Sequence, residues 1–204
     1  MQASKILVIT ASVMPLEKSY SDELAHRFVK HYQKHYPQDK ITWLDLNTVK
    51  MAEKTMTRAN FGQFFNQTDS GDYINQLKQV NKVVFACPMM NFAISTMAKN
   101  YLDHILLAGQ TFSYKYTKKG DAIGLLDHLK VQILTTQGAP LGWYPWGDLV
   151  AYLKGTWEFV GAKVSQPLTV AGTKVPPTNE LTPAQLIDQY DQQIEKLALQ
   201  FGKE

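Results

Sequence analysis

Two periods of apolar residues alternate along the chain. Short runs rich in β-branched and aromatic residues read as strands: KILVIT (5–10), ITWLDL (41–46), KVVFA (82–86) and KVQILTT (130–136). Longer stretches with helical spacing lie between them. In SDELAHRFVKHYQKHY (21–36), Leu24, Phe28, Tyr32 and His35 recur at three and four residues and form one helical face. Residues 50–80 hold polar, helix-compatible segments interrupted at DSGD (69–72). Helices are expected over about 94–107 and 148–159, and a last one opens at LTPAQL, with Thr182 as N-cap and Pro183 at the first helical position. TFSYKYTKKGDAIGLL (111–126) has the pattern of a hairpin turning at KKGD (118–121). SQPLTVAG (165–172) reads as a fifth strand, at an edge because Pro167 cannot donate to a ladder.

Strands that alternate with helices imply parallel pairing through right-handed crossovers. The near-continuous apolar run KVVFA agrees, since parallel strands are buried on both faces. The expectation is a single α/β domain over residues 1–204: a flavodoxin-like three-layer sandwich. Its five-stranded parallel sheet has the order 2-1-3-4-5, helices cover both faces, and a hairpin is inserted after the helix that follows strand three. Ligands of such sheets bind outside the carboxyl ends of the strands, where the strand order reverses. That rule selects TASVMPLEKSYS (10–21), CPMMNF (87–92) and TTQGAP (135–140).

Composition narrows the class. A chain of 204 residues that is 45% hydrophobic forms one packed core, and its 19% charged residues fall below the usual ~25%, which favours a partly covered outer surface such as an oligomer interface. The net charge of +3 is scattered, so no nucleic-acid footprint is expected. The apolar run Ile6 to Ile9 is too short for a signal peptide, and no stretch reaches the ~18 apolar residues of a membrane span. With the single Cys87, the expectation is a cytoplasmic protein without a disulfide framework.

The three loops carry distinct chemistry. Thr10, Ser12, Ser19 and Ser21 place hydroxyls where a helix begins, which suits a phosphate at a helix N-terminus; Ser19 with Asp22 is equally an ordinary capping pattern. No G-x-G-x-x-G and no Walker motif is present, so a pyrophosphate cradle is disfavoured and a phosphomonoester such as that of FMN is favoured. In CPMMNF, Pro88 ends the strand, Met89, Met90 and Phe92 offer polarizable or flat apolar surface, and Asn91 adds an amide. Such residues can simply cover a sheet end; beside the hydroxyl-rich loop they also suit the bed of a flavin ring.

PMMNF followed by ISTMAKNYLDHILLAGQTFSY resembles the FMN-dependent NADH-azoreductases, and the likeness extends from KILVITAS to WEFVGA. The resemblance implies one tightly bound FMN per subunit, its phosphate and ribityl chain on Ser12, Ser19, Tyr20 and Ser21, and its ring along Met89, Met90, Asn91 and Phe92. The family's S-R-G-G after strand four corresponds to Thr136, Gln137, Gly138 and Ala139, and its loop tyrosine to Met90. Gln137 thus removes a positive charge from the ring's pyrimidine edge. The resemblance also implies a homodimer with each flavin near the interface and Phe112 over the ring. NADH is the implied donor, and quinones and aromatic azo compounds are the acceptors in a ping-pong exchange.

Phe112, Phe159, Trp143 and Tyr144 are the candidate substrate-pocket residues, and GWYPWG (142–147) could wall a pocket or form a dimer contact. No side chain is expected as a catalytic acid, base or nucleophile, because the flavin carries the chemistry. No metal site is expected, and His31 and His35 read as a solvated helix face. The rival readings are a flavodoxin-like electron carrier, which would usually be strongly acidic, and a flavin-free α/β protein.

Overall fold

A computed structural model describes residues 3–115 and 122–203. Its strands are β1 (Lys5–Thr10), β2 (Lys40–Asp45), β3 (Lys82–Pro88), β4 (Phe112–Ser113), β5 (Ile123–Gly124), β6 (Lys130–Thr136), β7 (Lys163–Val164) and β8 (Leu168–Val170). The helices are α1 (Tyr20–His35), α2 (Phe61–Phe64), α3 (Asp72–Gln79), α4 (Thr96–Ile105), α5 (Leu149–Phe159), α6 (Pro183–Asp188) and α7 (Asp191–Gly202). The main sheet is parallel with the order β2-β1-β3-β6-β7, and β8 also pairs with β6. The expected order is therefore present, with its fifth strand in two pieces. β4 and β5 pair antiparallel as the expected hairpin, whose KKGD turn lies outside the described residues.

Alternation along the strands creates two core layers. Leu7, Ile9, Val83, Phe85, Val131 and Ile133 point to the layer shared with α3, α4 and α5. Ile6, Val8, Val84, Ala86 and Leu134 point to the layer beneath α1, α6 and α7. The α1 face read from spacing, Leu24, Phe28 and Tyr32, is buried in that second layer, and Trp157 of α5 is fully buried in the first. Both faces of β3 are covered along Lys82 to Cys87, which accounts for its unbroken apolar sequence.

Local chemistry explains the interruptions. Pro167 has no N–H to give, and between β7 and β8 the buried Gln132 side chain donates to Gln166 O at 2.9 Å. Thr182 caps α6 through a reciprocal box with Gln185. The expected last helix is broken after Asp188, and this break lets Asp188 and Asp191 both accept from Arg27, at 2.6 and 2.9 Å. His31 and His35 are not on the solvated face expected of them. They turn to α7, where His31 Nε2 meets Asp191 at 2.8 Å and His35 Nε2 lies 3.5 Å from Glu195. The hairpin is seated directly on the end of α5, because a Cβ at Gly124 would lie 2.1 Å from the backbone nitrogen of Gly161. Among the described residues no helix is long and apolar enough to cross a membrane.

The crossover from β2 to β3 is held by a polar clamp. Asp69, in a π-helical turn, accepts from Lys54 Nζ at 2.5 Å and Asn66 Nδ2 at 2.8 Å. Burial pushes its carboxyl up, but the Lys54 and Asn66 hydrogen bonds outweigh burial and hold it below the usual carboxylate range. A depressed folded-state pKa contributes stability that is present above the unfolded value, about 3.9, and lost as pH falls through the folded value. Asp69→Asn should therefore lower the midpoint of thermal unfolding near neutral pH and flatten its fall between about pH 5 and 3. An unchanged acid limb of the unfolding curve would rule out the clamp as the source.

Candidate functional site

The crevice opens at the carboxyl ends of β1, β3 and β6, and backbone hydrogen bonds set its floor. Ala11 N–H donates to Ala86 O at 3.1 Å, and Met89 N–H donates to Thr136 O at 2.8 Å, so the three loops start at fixed heights relative to one another. Ser95, the N-cap of α4, donates its hydroxyl to Ala11 O at 2.9 Å. Asn47, just past β2, donates from Nδ2 to Ser12 O at 2.8 Å. Neither Ser95 nor Asn47 is evident from spacing, since each acts through backbone far away in sequence.

In the first loop the hydroxyls converge. Ser19 Oγ donates to Ser12 Oγ at 2.8 Å and lies 3.4 Å from Ser21 Oγ. All three serines are buried at the start of the 16-residue α1, and Ser19 also caps it by accepting from Asp22 N–H at 3.2 Å. Ser19 is therefore both the cap of α1 and a member of a hydroxyl cluster at a helix N-terminus, where anions are favoured. Asp22 is buried beside it, and burial pushes its carboxyl up despite the Ser19 hydrogen bond. Tyr20 is not part of the cluster through its hydroxyl, which donates to Leu181 O at 2.9 Å.

The second loop is strained. Met90 and Ala93 exchange backbone hydrogen bonds at 2.8 and 3.1 Å across a two-residue turn, and both central residues have positive φ, 48° at Asn91 and 69° at Phe92. Two left-handed residues suit a primed hairpin turn; asparagine tolerates this, whereas phenylalanine gives up about 1–2 kcal/mol. Phe92 is nonetheless 46% exposed. Among the described residues its ring pairs with two other rim aromatics, Tyr144 at 4.9 Å and Trp146 at 5.8 Å between centroids. Strain kept at an exposed aromatic is the pattern of a residue placed for a ligand. Directly before the turn, burial pushes the Cys87 thiol up to about 11 against weaker opposing hydrogen bonds from Ser95.

The third loop completes the rim. Gln137 Nε2 donates back to Ala139 O at 2.9 Å and Pro140 O at 3.2 Å, so its amide is used to fold Thr136–Gln137–Gly138–Ala139 onto itself. Leu141, Trp143 and Trp146 are exposed, Trp146 by 71%. A cavity of about 470 Å³ runs beneath this loop, lined by Met89, Thr135, Gln137, Tyr144, Asp148 and Thr169 among others. A second groove of about 470 Å³ lies on the outer side of Phe92, between Ile94, Lys99, Trp146 and Tyr152.

Phe112 and Phe159 are not brought to this rim within one chain. They pack on each other at 4.8 Å, at the far end of α5 from Tyr144. β7, just beyond Phe159, pairs with Lys130 and Val131 at the start of β6, whereas Thr136 and Gln137 lie at its end, about 20 Å away along the strand. Sequence alone could not separate these ends, because the aromatic content of both is similar.

The arrangement offers a hydroxyl cluster at a helix N-terminus next to an uncharged apolar rim with backbone edges exposed between. These residues fit a flat heterocycle bearing one phosphomonoester. No group of three or more histidine, cysteine or acidic side chains among the described residues is placed to hold a metal ion.

Comparisons with known proteins bear on the family and the fold. The model of the flavodoxin-like fold family matches residues 4–194. The FMN-dependent NADH:quinone oxidoreductase of Malacoplasma penetrans is 57% identical over 199 residues, covering 98% of this chain and 94% of the relative. That of Mycoplasmopsis pulmonis is 50% identical over 198 residues, covering 97% of this chain and all of the relative. Among solved structures, an FMN-dependent NADH-azoreductase from Bacillus anthracis in complex with FMN superposes with a TM-score of 0.76 at 22% identity, over 98% of this chain and all of the other.

If Phe92 serves a ligand and not the core, Phe92→Gly should change the free energy of unfolding by less than about 1 kcal/mol, since relief of strain offsets the lost ring contacts. Phe85→Ala, in the core on β3, should cost about 3–5 kcal/mol. Comparable losses for the two in urea titrations would make Phe92 a packing residue.

Proposed function

This chain belongs to the flavodoxin-like fold family, and from that premise we propose that it is an FMN-dependent NADH:quinone oxidoreductase. The observation that carries the reading is the pairing of the Ser12–Ser19–Ser21 hydroxyl cluster with the strained apolar Met90–Ala93 turn on adjacent strand ends. Two relatives that bear this activity in their names match 97–98% of the chain at 50% and 57% identity.

When bound, FMN supplies two-electron chemistry between a nicotinamide donor and a quinone acceptor. Ser12, Ser19 and Ser21 hold the phosphomonoester at the N-terminus of α1, where hydroxyls and unpaired N–H groups favour negative charge. Met89, Met90 and Phe92 give the ring an apolar bed, and Asn91 and the loop N–H groups orient its polar edge. Thr136, Gln137, Gly138 and Ala139 would border the same edge. Tyr144, packed on Phe92, would stand beside the bed, and with Trp143 of the same loop it would keep water from the reacting face while planar acceptors stack there. No side chain needs to act as acid, base or nucleophile. The flat, uncharged rim also suits aromatic azo compounds, which two turnovers reduce to amines.

The active assembly is proposed to be a homodimer in the cytoplasm. Apolar residues lie exposed at both ends of α5, with Trp146 and Tyr152 near its start and Phe159 at its end. A second copy that seats its Phe112–Phe159 end over the first copy's crevice would bring those rings to the flavin and cover the groove beside Phe92. On that arrangement, Phe159→Ala should increase both dimer dissociation in sedimentation and FMN loss on dilution; a change in neither would remove Phe159 from the interface.

The direct test is the purified protein with FMN, NADH and a benzoquinone. Quinone-dependent NADH oxidation that requires FMN is expected, and its absence would overturn the reading. Ser21→Ala removes a phosphate hydroxyl without touching the Ser19 cap. It should weaken FMN binding about 10- to 100-fold while leaving thermal stability within about 1 kcal/mol.

A further inference from the structure

A buried carboxylate stands beside the serine hydroxyls. Asp22, the third residue of α1, is 5% exposed, and its N–H donates to Ser19 Oγ at 3.2 Å. Its carboxyl shares with Ser12 the hydroxyl of Ser19. Among the described residues no lysine, arginine or histidine nitrogen lies within ion-pair distance of it. The charged groups that face it are Asp45, at the end of β2, and His26, one turn further along α1. Asp45 accepts from Asn47 N–H and Nδ2 at 2.9 and 2.8 Å, and His26 stacks on Trp43 at 4.4 Å between ring centroids. Burial pushes the Asp22 carboxyl up; the Ser19 hydrogen bond opposes burial, the Asp45 charge adds to it, and His26 opposes it.

The donors offered to a phosphate in this corner are neutral. They are the three serine hydroxyls and the N–H groups of the first turn, which have no acceptor within the helix. Among the described residues no lysine or arginine bonds Ser12, Ser19 or Ser21 through its side chain. A phosphomonoester carries close to two negative charges near neutral pH. It would therefore enter a site that already holds a carboxylate without a counterion, and like charges in one poorly hydrated site disfavour each other's ionised forms.

We infer that Asp22 sets how firmly the phosphate of FMN is held: its ionised carboxylate opposes the phosphate, and its protonated form admits it. The proton comes from water and goes to the carboxylate, and no bond to FMN is made or broken. The inference rests on the proposed FMN site and adds to it a residue that opposes the ligand instead of gripping it. By linkage, the carboxyl binds its proton more tightly in the loaded site than in the empty one. Binding is then tightest below the empty-site pKa, and the advantage is lost as pH rises through the loaded-site pKa.

The test uses the full chain freed of FMN, as wild type, Asp22→Asn and Asp22→Glu. Affinities for FMN and for riboflavin, which has the same ring and no phosphate, are measured by fluorescence at about pH 5 and about pH 8. Asp22→Asn should hold FMN about tenfold more tightly than wild type at the higher pH, and the gap should narrow at the lower one. Riboflavin affinity should be the same in both proteins, and Asp22→Glu should keep the pH dependence of the wild type. The phosphate of FMN, with its second pKa of about 6, titrates alike in every comparison and cancels. In the wild type itself, which needs no variant to fold, the Asp22 carboxyl followed by NMR should titrate about one pH unit higher with FMN bound than without it. Riboflavin should leave that titration in place. An unshifted carboxyl would overturn the inference and leave the FMN reading intact. Equal changes in FMN and riboflavin affinity in Asp22→Asn would also overturn it, making Asp22 a residue that only shapes the loop. Failure of the wild type to bind FMN would overturn both.

Discussion

The site depends on the height at which β1, β3 and β6 end. Their register pairs Thr10 with Ala86 and Cys87 with Thr135, and two further backbone bonds carry it past the sheet, from Ala11 to Ala86 and from Met89 to Thr136. Helices follow β1 and β3 on opposite faces, so α1 and α4 leave the sheet edge in different directions and a crevice opens between them. Slippage of β3 by one residue would turn Phe85 and Val83 into the wrong layer and lift Met89 away from Thr136 together. Core packing and site geometry are thus specified by the same ladder. The opposite edge is anchored too: Lys82 donates to Tyr32 Oη and Gly202 O, and Lys130 to Gln200 O and Phe201 O, so two cations meet the carboxyl end of α7 where the helix dipole favours them.

Rigidity at the floor allows strain at the rim. Asn91 and Phe92 keep left-handed backbone only because the Met90–Ala93 bonds and the Met89–Thr136 bond fix both ends of the turn. The aromatic cluster of Phe92, Tyr144 and Trp146 joins two loops yet leaves 46%, 36% and 71% of these residues exposed. An aromatic set with that exposure gains little from folding alone, so its worth lies in what stacks on it.

Much of this was legible in the sequence because it is governed by local period. Strands β1, β3 and β6, the α1 face, the Thr182 cap and the edge position of the Pro167 strand follow from residue spacing and backbone chemistry. Other features depend on contacts that no local pattern announces. The break between α6 and α7 lets Arg27, over 160 residues away, bond the aspartates on either side of it. Asn47 and Ser95 reach the first loop through carbonyls distant in sequence. Phe112, expected over the ring from the family resemblance, and Phe159 lie at the other end of α5 within one chain, because β7 pairs with the start of β6. The histidines of α1 meet acids on α7 because the two helices pack side by side, which a helical wheel of α1 does not reveal.

On the proposed reading, assembly and cofactor retention become one equilibrium. The groove beside Phe92, with Trp146 and Tyr152 on its wall, is exposed apolar surface next to the crevice, so whatever covers it would also close a route by which a bound flavin leaves. A partner that binds only the loaded crevice stabilises it by mass action, and by the same linkage the cofactor tightens the pair. The low charge of the rim is what makes this coupling possible. Charged loops would demand hydration and resist burial, whereas methionine, phenylalanine and tryptophan can exchange water for either a flat ligand or a second chain. The apolar loop after β3 is then explained by two neighbours, and its sequence satisfies both with the same side chains.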